Sequence, residues 1–251
     1  RKDGTSAPGW SDTTGPATHR PNKDHPVWLT MTVAAYIKET GDQDILKTRL
    51  PYLKDRWIRG WDIDHAYTGG PGTDGAGTLF EHLWRNLDFT YHDVGEWGLP
   101  LIGHADWNDA IDAAGIKLKG ESGWLGQALV RSQKTLAELA RLIGENGKAE
   151  ELLKRAQLVT ERLQRHTWDG EWFLYGRTDD GTVYGSRINT EGKIQLNTQS
   201  WALLAGIPTP EQRQKIFASV AKHLDRPHGL ALFAPAYSAW DATLGRISMF
   251  S

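Results

Sequence analysis

The chain has 251 residues, with 29 Lys+Arg against 31 Asp+Glu for a formal charge of −2, and it contains no Cys. That balance excludes a polybasic surface for nucleic acid or an anionic membrane, and the lack of thiols excludes disulfide frameworks and Cys-ligated metal sites. No stretch approaches the roughly 18 consecutive apolar residues of a membrane span, and no apolar segment follows the start at Arg1 as in a signal peptide, so the chain reads as soluble.

Apolar residues make up 39%, and the 27 Gly raise the broader apolar share to about half, the ordinary value for a globular domain. Length permits one full-sized core. Trp is the unusual figure, with twelve against seven Tyr and six Phe. Such rings fill a core or line a sugar-binding cleft equally well. The polar opening on Arg1 reads as that of a fragment or a processed piece.

Residues 1–26 are turn chemistry throughout and predict a long loop. From Val27 the apolar spacing is helical and is closed by Gly41. DILKTRLPYLKDRWIRGW predicts two helical pieces broken at Pro51, and GGPGTDGAG (69–77) predicts a flexible turn. Thr78 caps a predicted helix of about five turns ending near Gly95 to Gly98. Residues 99–122 read as a loop, followed by two strongly periodic helices separated at Gly147, which predict an antiparallel hairpin. EWFLYGRTDDGTVYGS predicts two short strands around Asp180-Gly181. NTQSWALLAG and PEQRQKIFASVAKHL are the last predicted helices, with Pro210 in the first turn of the second. Helix after helix joined by loops suggests an α/α barrel or toroid.

Most candidate motifs fail on their context. GPGTDG (70–75) fits G-x-G-x-x-G, but no apolar strand precedes it and Pro71 stiffens it, so it reads as a turn. Asp106, Asn108, Asp109 and Asp112 crowd oxygens as in a calcium loop, yet Ala110, Ile111 and Lys117 occupy positions that need a ligand, Gly and Glu. His104 and Asp106 are too few for zinc, and no metal site is expected. Ser122 in GESGW lacks the last Gly of a nucleophile elbow and reads as a helix cap. The absence of an Asn-x-Ser/Thr sequon favours a cytoplasmic protein.

The segment left is GLPLIGHADWNDAID (98–112), where carboxylates flank a Trp in an otherwise apolar loop. Partial burial there raises a carboxyl towards a working general acid, while the alternative is that Asp109 or Asp112 caps a short helix AIDAAG. Both readings stay open from spacing alone.

DWND after GLPLIG, followed by GES before a long helix, resembles the catalytic-loop region of glycoside hydrolase family 94, the cellobiose and chitobiose phosphorylases. PVWLTMTVAAYIKETGDQDIL (26–46), TLFEHLWRNLDFT (78–90), EGKIQLNTQSWALLAG (191–206) and LGRISMF (244–250) resemble further segments of that family in the same order. The resemblance covers nearly the whole chain. It implies an all-α (α/α)6 barrel, incomplete in this chain, with a small β-hairpin insertion, residues 1–251 forming the central part of the catalytic domain. The single general acid would be Asp109, with Trp107 lining the donor-sugar subsite. Asp24 and Arg20 would bind donor hydroxyls, although the family's usual pair of adjacent Asp residues is here Asp24-His25.

The implied reaction is inverting phosphorolysis of a β-linked glucosyl disaccharide or oligosaccharide to α-glucose 1-phosphate, with inorganic phosphate as co-substrate and no cofactor. An inverting hydrolase needs a second carboxylate roughly 6.5–9.5 Å from the first to activate water, whereas phosphate is already an anionic nucleophile. A hydrolase on the same barrel would have to recruit Asp106, Asp112 or Glu121 as base. A third reading is a non-catalytic carbohydrate-binding fragment. The family pattern also carries an N-terminal β-sandwich and, beyond the GRISMF segment, a K-E-N-G stretch and a His serving acceptor and phosphate; none falls within this sequence. A homodimer is expected of an intact relative. Trp107 is expected at the cleft wall, partly accessible, with Trp10, Trp97 and Trp124 as alternative sugar platforms.

Overall fold

The computed structural model describes residues 1–6, 10–11, 15–16, 22–53 and 73–249. Six α-helices stand among the described residues: α1 His25–Thr40, α2 Leu79–His92, α3 Gly123–Leu142, α4 Asn146–Thr167, α5 Leu196–Ala205 and α6 Pro210–His223. Their ends follow local chemistry. Pro26 sits in the first turn of α1, and Gly41 takes the left-handed conformation at φ 73° that closes it, a conformation open to Gly without a Cβ penalty. Thr78 and Glu81 form a reciprocal capping box on α2, and Thr209 with Gln212 does the same for α6, which begins on Pro210.

Helix α3 is the hub, packing against α1, α2, α4 and α5. It is buried on nearly every side, polar Gln127, Ser132 and Gln133 included, so its amphipathic pattern understates how much of it is covered. Helices α3 and α4 form the expected antiparallel hairpin. A Cβ on Gly126 would meet Leu163 at 3.1 Å, and one on Gly123 would meet the Tyr175 carbonyl at 2.9 Å; the small residues let the start of α3 lie close against the end of α4. One apolar core collects residues from all six helices, with Trp124, Phe173 and Tyr175 among its largest members. No described helix is long and apolar enough to cross a membrane.

Three expectations are corrected. The stretch read as two helices around Pro51 holds a 3₁₀ turn at Asp44–Lys47 and a strand, Arg49–Leu53, paired antiparallel with Thr73–Thr78. Part of the predicted flexible turn is therefore a strand, while residues 54–72 lie outside the described residues. Pro51 is tolerated because a two-stranded ladder asks little of its missing N–H. The Gly content of the partner strand serves close approach, since a Cβ on Gly77 would stand 2.0 Å from the Tyr52 hydroxyl. The second correction is that α2 stops at His92, because residues 94–100 turn back on themselves: Val94 bridges Pro100, and the Gly95 N–H bonds the Leu99 carbonyl at 3.1 Å. Third, AIDAAG forms no helix, so neither Asp109 nor Asp112 caps one.

The hairpin foreseen around Asp180-Gly181 is present. Gly176–Arg177 pairs with Val183–Tyr184, and on its other side with Glu121–Ser122, immediately before α3. Glu121 of this patch also bridges Leu101, on the segment that leads into the acidic loop.

Candidate active site

The loop from Gly98 to Gly115 is anchored before it reaches its acidic residues. Glu121, without exposed surface, accepts the N–H groups of Trp97 and Leu99 at 3.0 and 2.9 Å and pairs with Arg177 at 2.7 Å. Further on, the Lys23 N–H bonds the Ala105 carbonyl at 2.9 Å, tying the loop to the chain entering α1.

Asp106 is wholly buried. Its carboxyl accepts Ser122 Oγ–H at 2.6 Å, Tyr175 O–H at 2.7 Å and the Asn108 N–H at 3.1 Å. Burial pushes this carboxyl up to about 7; the three hydrogen bonds pull against the rise and the charge of Asp24 adds to it. Ser122 is the helix cap expected of it, its Oγ accepting the Leu125 N–H at 2.9 Å, and it also donates to Asp106.

Asp112 is held by Arg246, with Nε to Oδ2 at 2.5 Å and the Arg246 backbone N–H to Oδ1 at 3.0 Å. Arg246 reaches across to the Asp109 carbonyl as well, with Nη2 at 2.9 Å. Asp109 itself is exposed. Its carboxyl accepts the Asn22 side-chain amide and lies on an open cleft of about 490 Å³ lined by Asn108, Asp109, Ala110, Leu232, Phe233, Arg246 and Ile247, within the size range of small-molecule sites.

Trp107 is half-buried, its ring 5.9 Å from that of Trp124. The other proposed platforms are occupied or closed: Trp124 has no exposed surface, and Trp97 stacks on His166 under the Arg177 guanidinium. Of Trp10 only the backbone is described. Asp24 is buried at the start of α1, where Trp28 Nε1–H donates to its Oδ2 at 2.6 Å. Arg20 lies outside the described residues. The structure thus brings residues 22–24 against 105–109.

Sequence reasoning missed four contributors. Asn22, Tyr175 and Arg246 meet the loop from 87, 69 and 134 residues away; Arg246 falls in the LGRISMF segment, but no spacing ties any of the three to the loop. Trp28, partly exposed and edge-on to Trp201 at 5.3 Å, reads in sequence as an ordinary apolar helix position. Among the described residues no group of three His, Asp or Glu side chains is arranged to hold a metal ion.

Among the described residues, the helical domain thus sets an exposed carboxyl, Asp109, on a cleft, in a loop that also carries a half-buried Trp. Residues 7–251 match the Glycosyl hydrolase 94 superfamily, catalytic domain, and the chain belongs to that family. Similar proteins include a solabiose phosphorylase of Paenibacillus borealis, 36% identical over 99% of this chain and 30% of that protein. A cellobionic acid phosphorylase of Neurospora crassa is 34% identical over 91% of this chain and 26% of its own. An N,N'-diacetylchitobiose phosphorylase of Vibrio proteolyticus is 27% identical, over 90% and 25% respectively. The chain spans less than a third of the length of these relatives.

Proposed function

We propose that the protein is a disaccharide phosphorylase with an (α/α)6-barrel catalytic domain, to which this chain contributes the loop bearing the general acid. The observation that carries the reading is the sorting of carboxylates. Asp106 is sealed by three donors, Asp112 is paired with Arg246 and Glu121 with Arg177, while Asp109 opens on the cleft. Among the described residues, the carboxylates that a hydrolase would recruit as base, Asp106, Asp112 and Glu121, are buried and held by these partners, whereas an enzyme using phosphate as nucleophile needs no such base.

In the reaction the Asp109 carboxyl gives its proton to the glycosidic oxygen as the bond from that oxygen to the anomeric carbon breaks. A phosphate oxygen forms the new bond from the opposite face. The products are an α-sugar 1-phosphate and the free acceptor sugar, and Asp109 is left as a carboxylate. Trp107 offers its exposed part as a wall for the donor ring. Asp24, with Arg20, binds donor hydroxyls. The relative named as a 3-O-beta-D-glucopyranosyl-beta-D-glucuronide phosphorylase supports a β-linked glucosyl donor. A cytoplasmic homodimer completes the reading.

The test is incubation of the full-length protein with a panel of β-linked glucosyl disaccharides, with and without inorganic phosphate. Phosphate-dependent release of α-glucose 1-phosphate is expected. Cleavage that ignores phosphate would make it a hydrolase, and calorimetric binding without turnover would make it a sugar-binding protein.

A further inference from the structure

Asp106 lies three residues before the proposed acid, yet has no exposed surface. Its three donors come from three different places: the residue capping α3, the segment leading into the hairpin, and the acid loop itself. Each hydroxyl among them has a single proton to give. Ser122 Oγ already accepts the Leu125 N–H, so its single proton goes to Asp106. Tyr175 is fully buried with its ring 5.4 Å from that of Tyr184, and its one hydroxyl proton goes to Oδ1. All three partners donate, which suits an acceptor that carries no proton.

We propose that Asp106 is the positioning residue of the acid loop: as a carboxylate it ties the turn holding Trp107 and Asp109, through the Asn108 N–H, to the start of α3 and to Tyr175. It thereby sets where Asp109 stands in the cleft. This rests on the reading of Asp109 as the acid. Protonation falls to Oδ2, which holds only the Ser122 bond against the two on Oδ1; it takes the charge out of all three bonds, and the turn loosens.

The groups facing this carboxyl are Tyr175 and Tyr184 from the hairpin region and Asp24 from the start of α1. Lys23, next to Asp24, is paired with Asp93, and buried His104 precedes the loop. Burial against hydrogen bonding leaves Asp106 at about 7, so the tie engages within the neutral range.

Two variants and two readouts test this. Asp106→Asn puts an N–H against a hydroxyl donor and should lower kcat roughly 100-fold, the order a misplacement of about 1 Å produces, with KM changed less than about threefold. Tyr175→Phe removes one donor from the ionised form, so the acidic limb of its pH–rate profile should move to higher pH. Phosphate titrates in the same range, but its ionisation does not move with a substitution in the protein. The second readout needs no activity: Trp107 fluorescence, taken as the difference from Trp107→Phe, should titrate near pH 7 in the wild type, higher in Tyr175→Phe, and not at all in Asp106→Asn. An unmoved limb together with an unmoved fluorescence midpoint in Tyr175→Phe overturns the proposal, as does wild-type kcat in Asp106→Asn. Should Asp106→Asn fail to fold, Tyr175→Phe decides alone. Absence of phosphorolysis in the wild type overturns the proposed function, and the fluorescence titration then decides whether Asp106 governs the turn.

Discussion

Replacing Asp106 by Asn should change how stability depends on pH, by an amount the structure sets. Burial raises the Asp106 carboxyl from 3.8 to about 7. The folded protein therefore holds this proton more tightly than the unfolded chain, and stability is lost as pH rises between those two values. At about 1.4 kcal/mol per pH unit, the loss between pH 5 and pH 8 is about 3 kcal/mol. For a chain of this size that is roughly 6–12 °C in Tm. Other groups slope differently: His82, His166 and His223 are held below 6.5, chiefly by burial, and their contribution rises with pH below about 6.5. The exposed carboxyls Asp44, Glu81, Asp180 and Glu211 are lowered by hydrogen bonds and finish titrating below the window. Asp106→Asn leaves all of these in place, so the difference between wild type and variant isolates Asp106. Denaturant melts of both at half-unit steps should show the variant gaining on the wild type from pH 5 to about 8 and a constant offset above. Parallel curves throughout would refute the reasoning.

Glu121→Ala should cost about 3–5 kcal/mol in a denaturant melt, because it leaves two buried loop N–H groups without an acceptor and Arg177 with Glu96 as its remaining partner; a loss under 1 kcal/mol would mean that the loop is anchored elsewhere. Trp107→Ala should lower kcat/KM roughly 10- to 100-fold while costing about 1–3 kcal/mol, below the loss for a fully buried Trp, because the ring is only half-buried. Global unfolding of that variant would make the residue structural. Arg246→Lys should fail to restore what Arg246→Ala loses in kcat, since an ammonium does not supply the planar fork that joins Asp112 to the Asp109 carbonyl; full rescue by Lys would reduce Arg246 to a simple counter-charge.

What was legible in the sequence is what local chemistry decides. Gly41, the Thr78 cap, Pro210 and the Asp180-Gly181 turn each mark an element through bonds spanning a few residues, and each stands where it was expected. The strand at Arg49–Leu53 was hidden because Pro51 and the glycines of its partner are breakers in isolation, and only the pairing, with Tyr52 against Gly77, gives them a use. The end of α2 was overrun because the group that organises the following turn, Glu121, lies 24 residues from Trp97. Within the DWND loop, spacing could not rank the carboxylates. What distinguishes their environments is Ser122, Tyr175 and Arg246, each brought in by the fold.

The most direct test of the account compares Asp109→Asn with wild type on two substrates in the presence of phosphate. One is the best β-linked glucosyl disaccharide of the panel, whose leaving oxygen needs a proton; the other is a dinitrophenyl β-glucoside, whose leaving group departs as an anion. Loss of the general acid should slow the disaccharide by roughly 100- to 10,000-fold and leave the activated glycoside within about tenfold of wild type. Normal disaccharide turnover in Asp109→Asn, or equal loss on both substrates, would contradict the assignment of Asp109 as the proton donor.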